Sequence, residues 1–108
     1  MKKNYLMSNT TLLKFSSEDC GTCHRMGFYD SKVSKELGCE LINVMLQDTQ
    51  TYRKYRKVLL SKYPDKSGMG WPTYLLVQDI DTDFKVIGEL KGGMDKGEFR
   101  KKLSGLLN

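Results

Sequence analysis

The sequence predicts an α/β fold: one domain with a mixed four-stranded sheet and about three helices on its faces, in the order βαβαββα. Its 108 residues suffice for one hydrophobic core and leave no room for a second. Short runs rich in apolar, β-branched and aromatic residues alternate with segments whose apolar residues recur about every 3.6 positions. A strand–helix–strand beginning requires a parallel pair, and a later hairpin requires an antiparallel pair, so the sheet is mixed.

The first half of the chain predicts a βαβ unit. Residues 11–16 are mostly apolar and bounded by polar residues, which indicates a buried strand. Residues 23–37 carry apolar side chains at helical spacing, and Gly38 follows at the position that glycine favours after a helix. Gly27 predicts a kink or a restart within this helix. Residues 40–46 are apolar on both faces, as in a central strand covered on two sides.

The second half predicts a helix followed by a hairpin. Asp48 or Thr49 can cap the helix, and Pro64 ends it because proline lacks the N–H that the next turn needs. Residues 73–78 and 84–90 have strand character and are separated by a short Asp-rich turn. These two strands therefore form an antiparallel pair.

A last helix closes the domain. Asp95 followed three positions later by Glu98 has the form of a capping box. The apolar stripe of this helix consists of Phe99, Leu103, Leu106 and Leu107. We therefore predict one domain at residues 11–108, preceded by an N-terminal extension at residues 1–10.

The charge and hydropathy of the chain exclude several function classes. The net charge is +5, but basic and acidic residues are interspersed, and the densest basic cluster lies on the predicted second helix, where it forms a solvated face. Nothing accompanies it that is typical of a nucleic-acid-binding module, so we expect no nucleic-acid partner. The apolar runs are too short for a bilayer or a signal peptide, so we expect a cytoplasmic protein without membrane association.

Two of the three cysteines, Cys20 and Cys23, have the spacing of metal, haem or redox chemistry, and three cysteines are too few for a disulfide framework. The pair lies where the first strand passes into a helix, which is typical of a redox site. The N–H groups at a helix start stabilise an anion, so we expect a lowered pKa for Cys20 if it begins the helix. We predict that Cys20 attacks a partner's disulfide and that Cys23 then releases the reduced partner, without metal or organic cofactor.

Three stretches of the chain resemble the thioredoxin superfamily. They are residues 13–15 followed by the Cys-Gly-Thr-Cys motif at 20–23, the Trp-Pro-Thr segment at 71–73, and residues 92–99 before the last helix. The last stretch and the helix after the cysteines are most similar to the thioredoxin-like domain at the end of the membrane thiol–disulfide interchange reductases. The membrane part of those proteins has no counterpart here.

The resemblance implies a thiol–disulfide oxidoreductase that reduces disulfides in other proteins. It implies that Pro72 is cis and lies against the cysteine pair, and that Trp71 is presented to the substrate. We expect a monomer that accepts electrons from a thioredoxin reductase or another dithiol donor. The residues expected to bind substrate are Gly21, Thr22, Trp71, Pro72 and Gly92.

One departure from the family pattern concerns the proton on Cys23. Lys14 aligns with the buried Asp that family members use to manage that proton, and a protonated Lys cannot serve as the same base. Water, His24 or Glu18 would then take over this task. The first strand and helix of the family are also expected to be missing, because residues 1–10 can supply neither in full.

Other functions fit parts of the sequence. Residues 92–95 resemble the glutathione-binding segment of glutaredoxins, which would indicate a glutathione-dependent exchange enzyme, although capping by Asp95 explains the same residues. A redox-inactive thioredoxin-like scaffold that only binds a partner is the third possibility. Met69, between two glycines, would join Trp71 in an apolar rim for a docked peptide.

Two further interpretations of the cysteine motif are weaker. Cys20 to His24 fits the c-type haem attachment pattern, but that chemistry normally accompanies export and a small helical fold. Zinc would need two more ligands, and only Cys39 and His24 remain as soft donors. Cys39 begins a predicted buried strand and is expected to be an inert core thiol.

Overall fold

The structure, a computed structural model, describes residues 9–108. Within this range the strands are β1 (Thr10–Ser16), β2 (Glu40–Met45), β3 (Thr73–Gln78) and β4 (Lys85–Lys91). The helices are α1 (Gly21–Met26), α2 (Asp30–Glu36), α3 (Thr49–Lys62) and α4 (Lys96–Leu107). The prediction that residues 1–10 cannot supply the family's first strand and helix falls on residues 1–8, which lie outside the described residues, and on residues 9 and 10, of which Thr10 belongs to β1.

The four described strands form one mixed sheet in the order β2-β1-β3-β4. β1 runs parallel to β2 and antiparallel to β3, and β3 runs antiparallel to β4. The predicted fold class and the hairpin are confirmed. β2 was expected to be central, and this is wrong: among the described strands β2 lies at an edge of the sheet and is only partly buried, whereas β1 is buried along its whole length.

The single helix predicted for residues 23–37 is two helices, so the described chain has four helices and not three. α1 ends at Met26, where the N–H of Gly27 bonds to the carbonyl oxygens of Cys23 and His24. A Cβ atom at Gly27 would lie 3.1 Å from the His24 carbonyl oxygen, so this tight turn favours glycine. The chain then restarts as α2 at Asp30, and this change of direction turns the Asp30 side chain into the interior.

Side-chain caps begin the two longer helices as predicted. Asp48 accepts a hydrogen bond from the Thr51 N–H at the start of α3, at 3.3 Å. Asp95 accepts one from the Glu98 N–H at the start of α4, at 2.8 Å. Each carboxylate satisfies a backbone donor that has no partner within its helix.

Two core clusters lie on opposite faces of the sheet because successive residues of β1 and β3 point to opposite sides. The first core packs the sheet against α1, α2 and α4, and its members include Leu12, Met26, Val33, Tyr74, Leu76, Phe99 and Leu103. The second core packs the sheet against α3, and its members include Leu13, Phe15, Val44, Tyr55, Val58, Leu59, Leu75 and Val77. The cysteine motif follows the end of β1 and begins α1, on the side of the first core.

None of the helices in the described range, residues 9–108, has the length and apolar character that crossing a membrane requires.

Candidate active site

Cys20 and Cys23 are joined by a disulfide bond, with their Cα atoms 5.2 Å apart. Cys20 is the N-cap residue of α1, and its sulfur accepts a hydrogen bond from the Cys23 N–H at 3.0 Å. The loop from β1 is closed by a bond from the Cys20 N–H to the Ser17 carbonyl oxygen, at 3.0 Å. The strand therefore delivers the first cysteine directly to the start of the helix, as predicted.

The two cysteines differ in exposure. Cys20 is half-buried, whereas Cys23 is only 4% exposed because it lies one turn further into α1. An incoming protein can therefore reach the Cys20 sulfur first. This difference agrees with an attacking cysteine at 20 and a sheltered one at 23.

A surface groove of about 540 Å³ adjoins Cys20, the more accessible of the two cysteines. It brings together four of the residues that the sequence singled out, Cys20, Gly21, Thr22 and Trp71, and Trp71 is 37% exposed. Leu46 also lines the groove and was not predicted. Its position offered a signal, because β1 and β2 are parallel and their carboxyl ends meet at one edge of the sheet.

Pro72 and Gly92 do not line the groove. The Trp71–Pro72 peptide bond is cis, and Pro72 is buried. The Gly92 N–H donates to the Pro72 carbonyl oxygen at 2.9 Å, and Gly92 has a φ of 78°, which favours glycine. Gly92, which is half-buried, thus ties its own segment to the proline segment by a backbone hydrogen bond.

Comparison with solved structures shows which known proteins have this architecture. The chain superposes on a thioredoxin from Aeropyrum pernix with a TM-score of 0.65 at 15% identity, covering 97% of this chain and 81% of that one. A mutant thioredoxin from Halobacterium salinarum gives 0.63 at 17% identity, covering 97% and 82%. A thioredoxin from Thermus thermophilus gives 0.60 at 20% identity, covering 97% and 81%. The chain has a thioredoxin-like fold. No protein-family model and no curated protein matches its sequence.

Beneath the cysteines of this thioredoxin-like fold lies a buried ion pair. The Lys14 ammonium is 2.6 Å from the Asp30 carboxylate and donates to the Cys23 carbonyl oxygen at 2.8 Å. Tyr74 donates its hydroxyl proton to the same carboxylate at 2.8 Å. Burial, together with the negative charge of Asp30, raises the pKa of Tyr74, so the phenol remains a donor.

Asp30 was not predicted as a site residue, although the sequence contained a signal for it. Asp30 lies four residues after Met26 and three before Val33, and both of these belong to the first core. An acid on the apolar stripe of a helix is buried and requires a partner. Lys14, the residue that departs from the family pattern, is that partner.

A second pocket of about 250 Å³ opens on the other side of the cysteine pair. Lys14 and Cys23 both line it, together with His24. The His24 ring nitrogen lies 3.0 Å from the backbone carbonyl oxygen of Glu18. Of the side chains considered for the Cys23 proton, His24 lines this pocket and Glu18 does not.

The remaining cysteine and methionine candidates lie apart from the site. Cys39 is a free thiol in the first core, and burial raises its pKa to about 11. Met69 packs against the second core and does not line the groove beside Trp71, so the predicted apolar rim is wrong. Within residues 9–108, no cluster of three or more His, Cys, Asp or Glu side chains is arranged to hold a metal ion.

Proposed function

We propose that this protein is a thiol–disulfide oxidoreductase that reduces disulfide bonds in other proteins. The observation that carries the proposal is the Cys20–Cys23 disulfide at the start of α1, with one sulfur facing a groove and the other buried. The thioredoxin-like fold supports it, because a Cys-x-x-Cys pair at this strand–helix junction is typical of redox chemistry.

The reaction follows from thiol–disulfide exchange. In the reduced protein the Cys20 thiolate attacks one sulfur of the partner's disulfide, and the other partner sulfur leaves as a thiolate. Cys23 then attacks Cys20, so that the Cys20–Cys23 bond forms as the mixed disulfide breaks. Two electrons pass to the partner, and no cofactor is needed.

Local hydrogen bonding supports Cys20 as the attacking group. The nitrogen of the Cys23 N–H lies 3.0 Å from the Cys20 sulfur and donates a hydrogen bond to it. A thiolate accepts such a hydrogen bond more strongly than a thiol does, so this bond favours the thiolate of Cys20. α1 has only six residues, so this single donor carries more of the argument than the helix dipole does. Cys20 is therefore proposed to have a pKa below that of a free thiol.

The groove suggests that the substrate is an extended protein segment. Gly21 and Thr22 form one wall, and Trp71 offers an apolar surface beside Cys20. We propose that a thioredoxin reductase or another dithiol donor returns the Cys20–Cys23 pair to its reduced form in the cytoplasm, and that the protein acts as a monomer. Pro72 would border the bound segment.

Glutathione is less well supported as the partner. The Gly92 N–H is engaged by the Pro72 carbonyl oxygen, and the Asp95 carboxylate caps α4. The groups that would hold glutathione in a glutaredoxin-like site thus have partners within the chain. This is why the proposal names protein disulfides.

Reduction of insulin disulfides by dithiothreitol, with catalytic amounts of this protein, tests the proposal. The protein is expected to accelerate reduction, and Cys20→Ser is expected to return the rate to background. Cys23→Ser, reduced beforehand and mixed with insulin after dithiothreitol has been removed, is expected to accumulate a mixed disulfide with insulin because the resolving thiol of the motif is missing. Cys39→Ser is the matched control and should retain activity, since Cys39 lies outside the site.

Three results would contradict the proposal. Undiminished insulin reduction by Cys20→Ser would mean that the pair is not the reactive centre. Turnover that requires glutathione and does not proceed with a dithiol donor would favour the glutathione-dependent alternative. Partner binding that survives Cys20→Ser, without any reduction by the unaltered protein, would favour a scaffold.

A further inference from the structure

The ion pair between Lys14 and Asp30 is buried where stability alone does not require it. Lys14 is 4% exposed and Asp30 is 2% exposed, so both charges have left water. Desolvation of a buried ion pair usually offsets its mutual attraction, and an apolar pair of similar volume is often equally stable. The pair is therefore better explained by what its charges do to a neighbouring group.

Three elements of the fold converge on this pair. Lys14 of β1 stands directly opposite Tyr74 of β3 in the antiparallel register, on the face that carries α1 and α2. Asp30 enters from the first turn of α2 and accepts hydrogen bonds from both. The Asp30 carboxylate lies on one side of the Lys14 ammonium, and the ammonium points toward α1 on the other side.

On the α1 side the ammonium meets the backbone of the second cysteine. The Lys14 Nζ atom lies 2.8 Å from the Cys23 carbonyl oxygen. A Cβ atom at Gly27 would lie 3.7 Å from the same Nζ, so the absence of a side chain there leaves space beside the ammonium. Lys14 and Cys23 also line the same pocket of about 250 Å³, which connects both to solvent.

We propose that Lys14 promotes the second step of exchange by stabilising the thiolate of Cys23, with Asp30 as the residue that positions the ammonium. This inference rests on the proposed function. In that step the Cys23 thiol gives its proton to solvent in the pocket, and the resulting thiolate attacks the Cys20 sulfur. The Cys20–Cys23 bond forms, the partner's sulfur leaves with the electron pair, and Lys14 keeps its proton throughout.

This arrangement answers the question that Lys14 raised in the sequence. A buried thiol loses its proton reluctantly because its anion is poorly solvated, and a nearby positive charge reverses that preference. In place of a base that removes the proton, the chain thus has a lysine whose positive charge stabilises the Cys23 thiolate. Asp30 and Tyr74 do not take the proton but hold the ammonium against Cys23.

The other titratable groups near Cys23 are few and identifiable. Cys20 is its disulfide partner, and Asp30 and Tyr74 face it through Lys14. His24 shares the pocket and is the only histidine of the chain. A test must therefore separate the effect of Lys14 from titration of Cys20 and of His24.

The test measures how the alkylation rate of Cys23 depends on pH in a Cys20→Ser background. Lys14→Met is expected to raise the apparent pKa of Cys23 by about one unit or more, because a nearby positive charge is lost. Asp30→Asn keeps an acceptor oxygen for the Lys14 ammonium and is expected to lower the apparent pKa of Cys23, because the negative charge that competes with the thiolate for the ammonium is lost. A purely structural role would move both variants in the same direction.

Two controls accompany these variants. Arg100→Met/Glu36→Gln removes an exposed ion pair of 2.5 Å between α4 and α2 and should leave the Cys23 titration unchanged. His24→Gln should preserve the opposite shifts of the Lys14 and Asp30 variants. If Lys14→Met does not fold, Lys14→Met/Asp30→Asn leaves no unpaired buried charge and should still raise the apparent pKa of Cys23.

Shifts in the same direction, or no shift in either variant, would overturn the inference. Insulin reduction by the unaltered protein distinguishes this failure from failure of the proposed function. If insulin is reduced through Cys20 but neither Lys14→Met nor Asp30→Asn changes the apparent pKa of Cys23, the proposed function stands and the role of Lys14 is refuted. If opposite shifts appear but the unaltered protein reduces no insulin, the proposed function fails, and with it the assignment of Lys14 to exchange.

Discussion

The three cysteines of this chain have the same side chain but lie in three different environments. Cys20 accepts a backbone N–H and borders a groove, and Cys23 contacts a lysine through its carbonyl oxygen. Cys39 lies in the first core, where burial raises its pKa to about 11. Reactivity should therefore follow environment, because only the thiolate is nucleophilic.

Alkylation of the reduced protein by iodoacetamide measures this difference. At pH 8 the Cys39 thiolate fraction implied by a pKa of about 11 is about 10⁻³, so Cys39 should react about 10²-fold more slowly than a free thiol. Its rate should keep rising with pH up to about 11, whereas the Cys20 rate should level off below the pKa of a free thiol. Peptide mass spectrometry at several pH values resolves the sites. Equal rates for Cys20 and Cys39 at pH 8 would contradict both assignments.

At the scale of elements, α4 shows how a local signal and a tertiary contact combine. The Asp95 carboxylate accepts the Glu98 N–H, and the first buried residue of the helix, Phe99, follows directly. The segment before the helix also packs closely on α1: a Cβ atom at Gly93 would lie 3.0 Å from the Thr22 methyl carbon. The cap thus fixes where α4 begins and keeps the neighbouring segment in register with the cysteine helix.

Asp95→Ala is expected to destabilise the protein by about 1 kcal/mol because the Glu98 N–H loses its acceptor. Urea denaturation followed by circular dichroism measures the free energy of unfolding. Asp81→Ala, in the exposed turn between β3 and β4, is the control and should change that free energy by less than about 0.5 kcal/mol. An equal loss in both variants would mean that the cap contributes nothing specific.

At the scale of the whole molecule, the sheet separates two cores and α4 covers one of them. Phe99 is completely buried, with its ring centroid 5.2 Å from that of Tyr74 and 6.3 Å from that of Tyr29. Through Tyr74 this cluster adjoins the Lys14–Asp30 pair. Packing in the first core therefore supports both the stability of the domain and the geometry beneath the cysteines.

Two phenylalanines provide a matched comparison of burial. Phe99→Ala is expected to cost about 3–5 kcal/mol of unfolding free energy, because it leaves a cavity in the first core. Phe28 is 87% exposed, so Phe28→Ala should change the free energy of unfolding by less than about 0.5 kcal/mol. Thermal and urea denaturation of both variants measure the difference. A similar cost at the two positions would contradict the described core.

The sequence by itself determined the elements and the cysteine pair that forms the disulfide. Apolar periodicity, the glycine at 27, and the caps at Asp48 and Asp95 are properties of neighbouring residues, so they predicted most boundaries to within one or two positions. The spacing of Cys20 and Cys23 predicted that the two cysteines, one helical turn apart, can form a disulfide, and the structure contains this disulfide. These features depend on contacts of short range along the chain.

Only the tertiary structure decided which residues meet across the fold. Apolar residues on both faces of β2 indicated a central strand, but strand order depends on pairing between distant segments, and β1 and β3 are the inner strands of the described sheet. Leu46 reached the groove because two parallel strands end at the same edge. Lys14 contacts Asp30 because the chain turns at Gly27 and brings Asp30 beneath the cysteines. A local sequence pattern does not indicate which distant residue will pair with a buried charge.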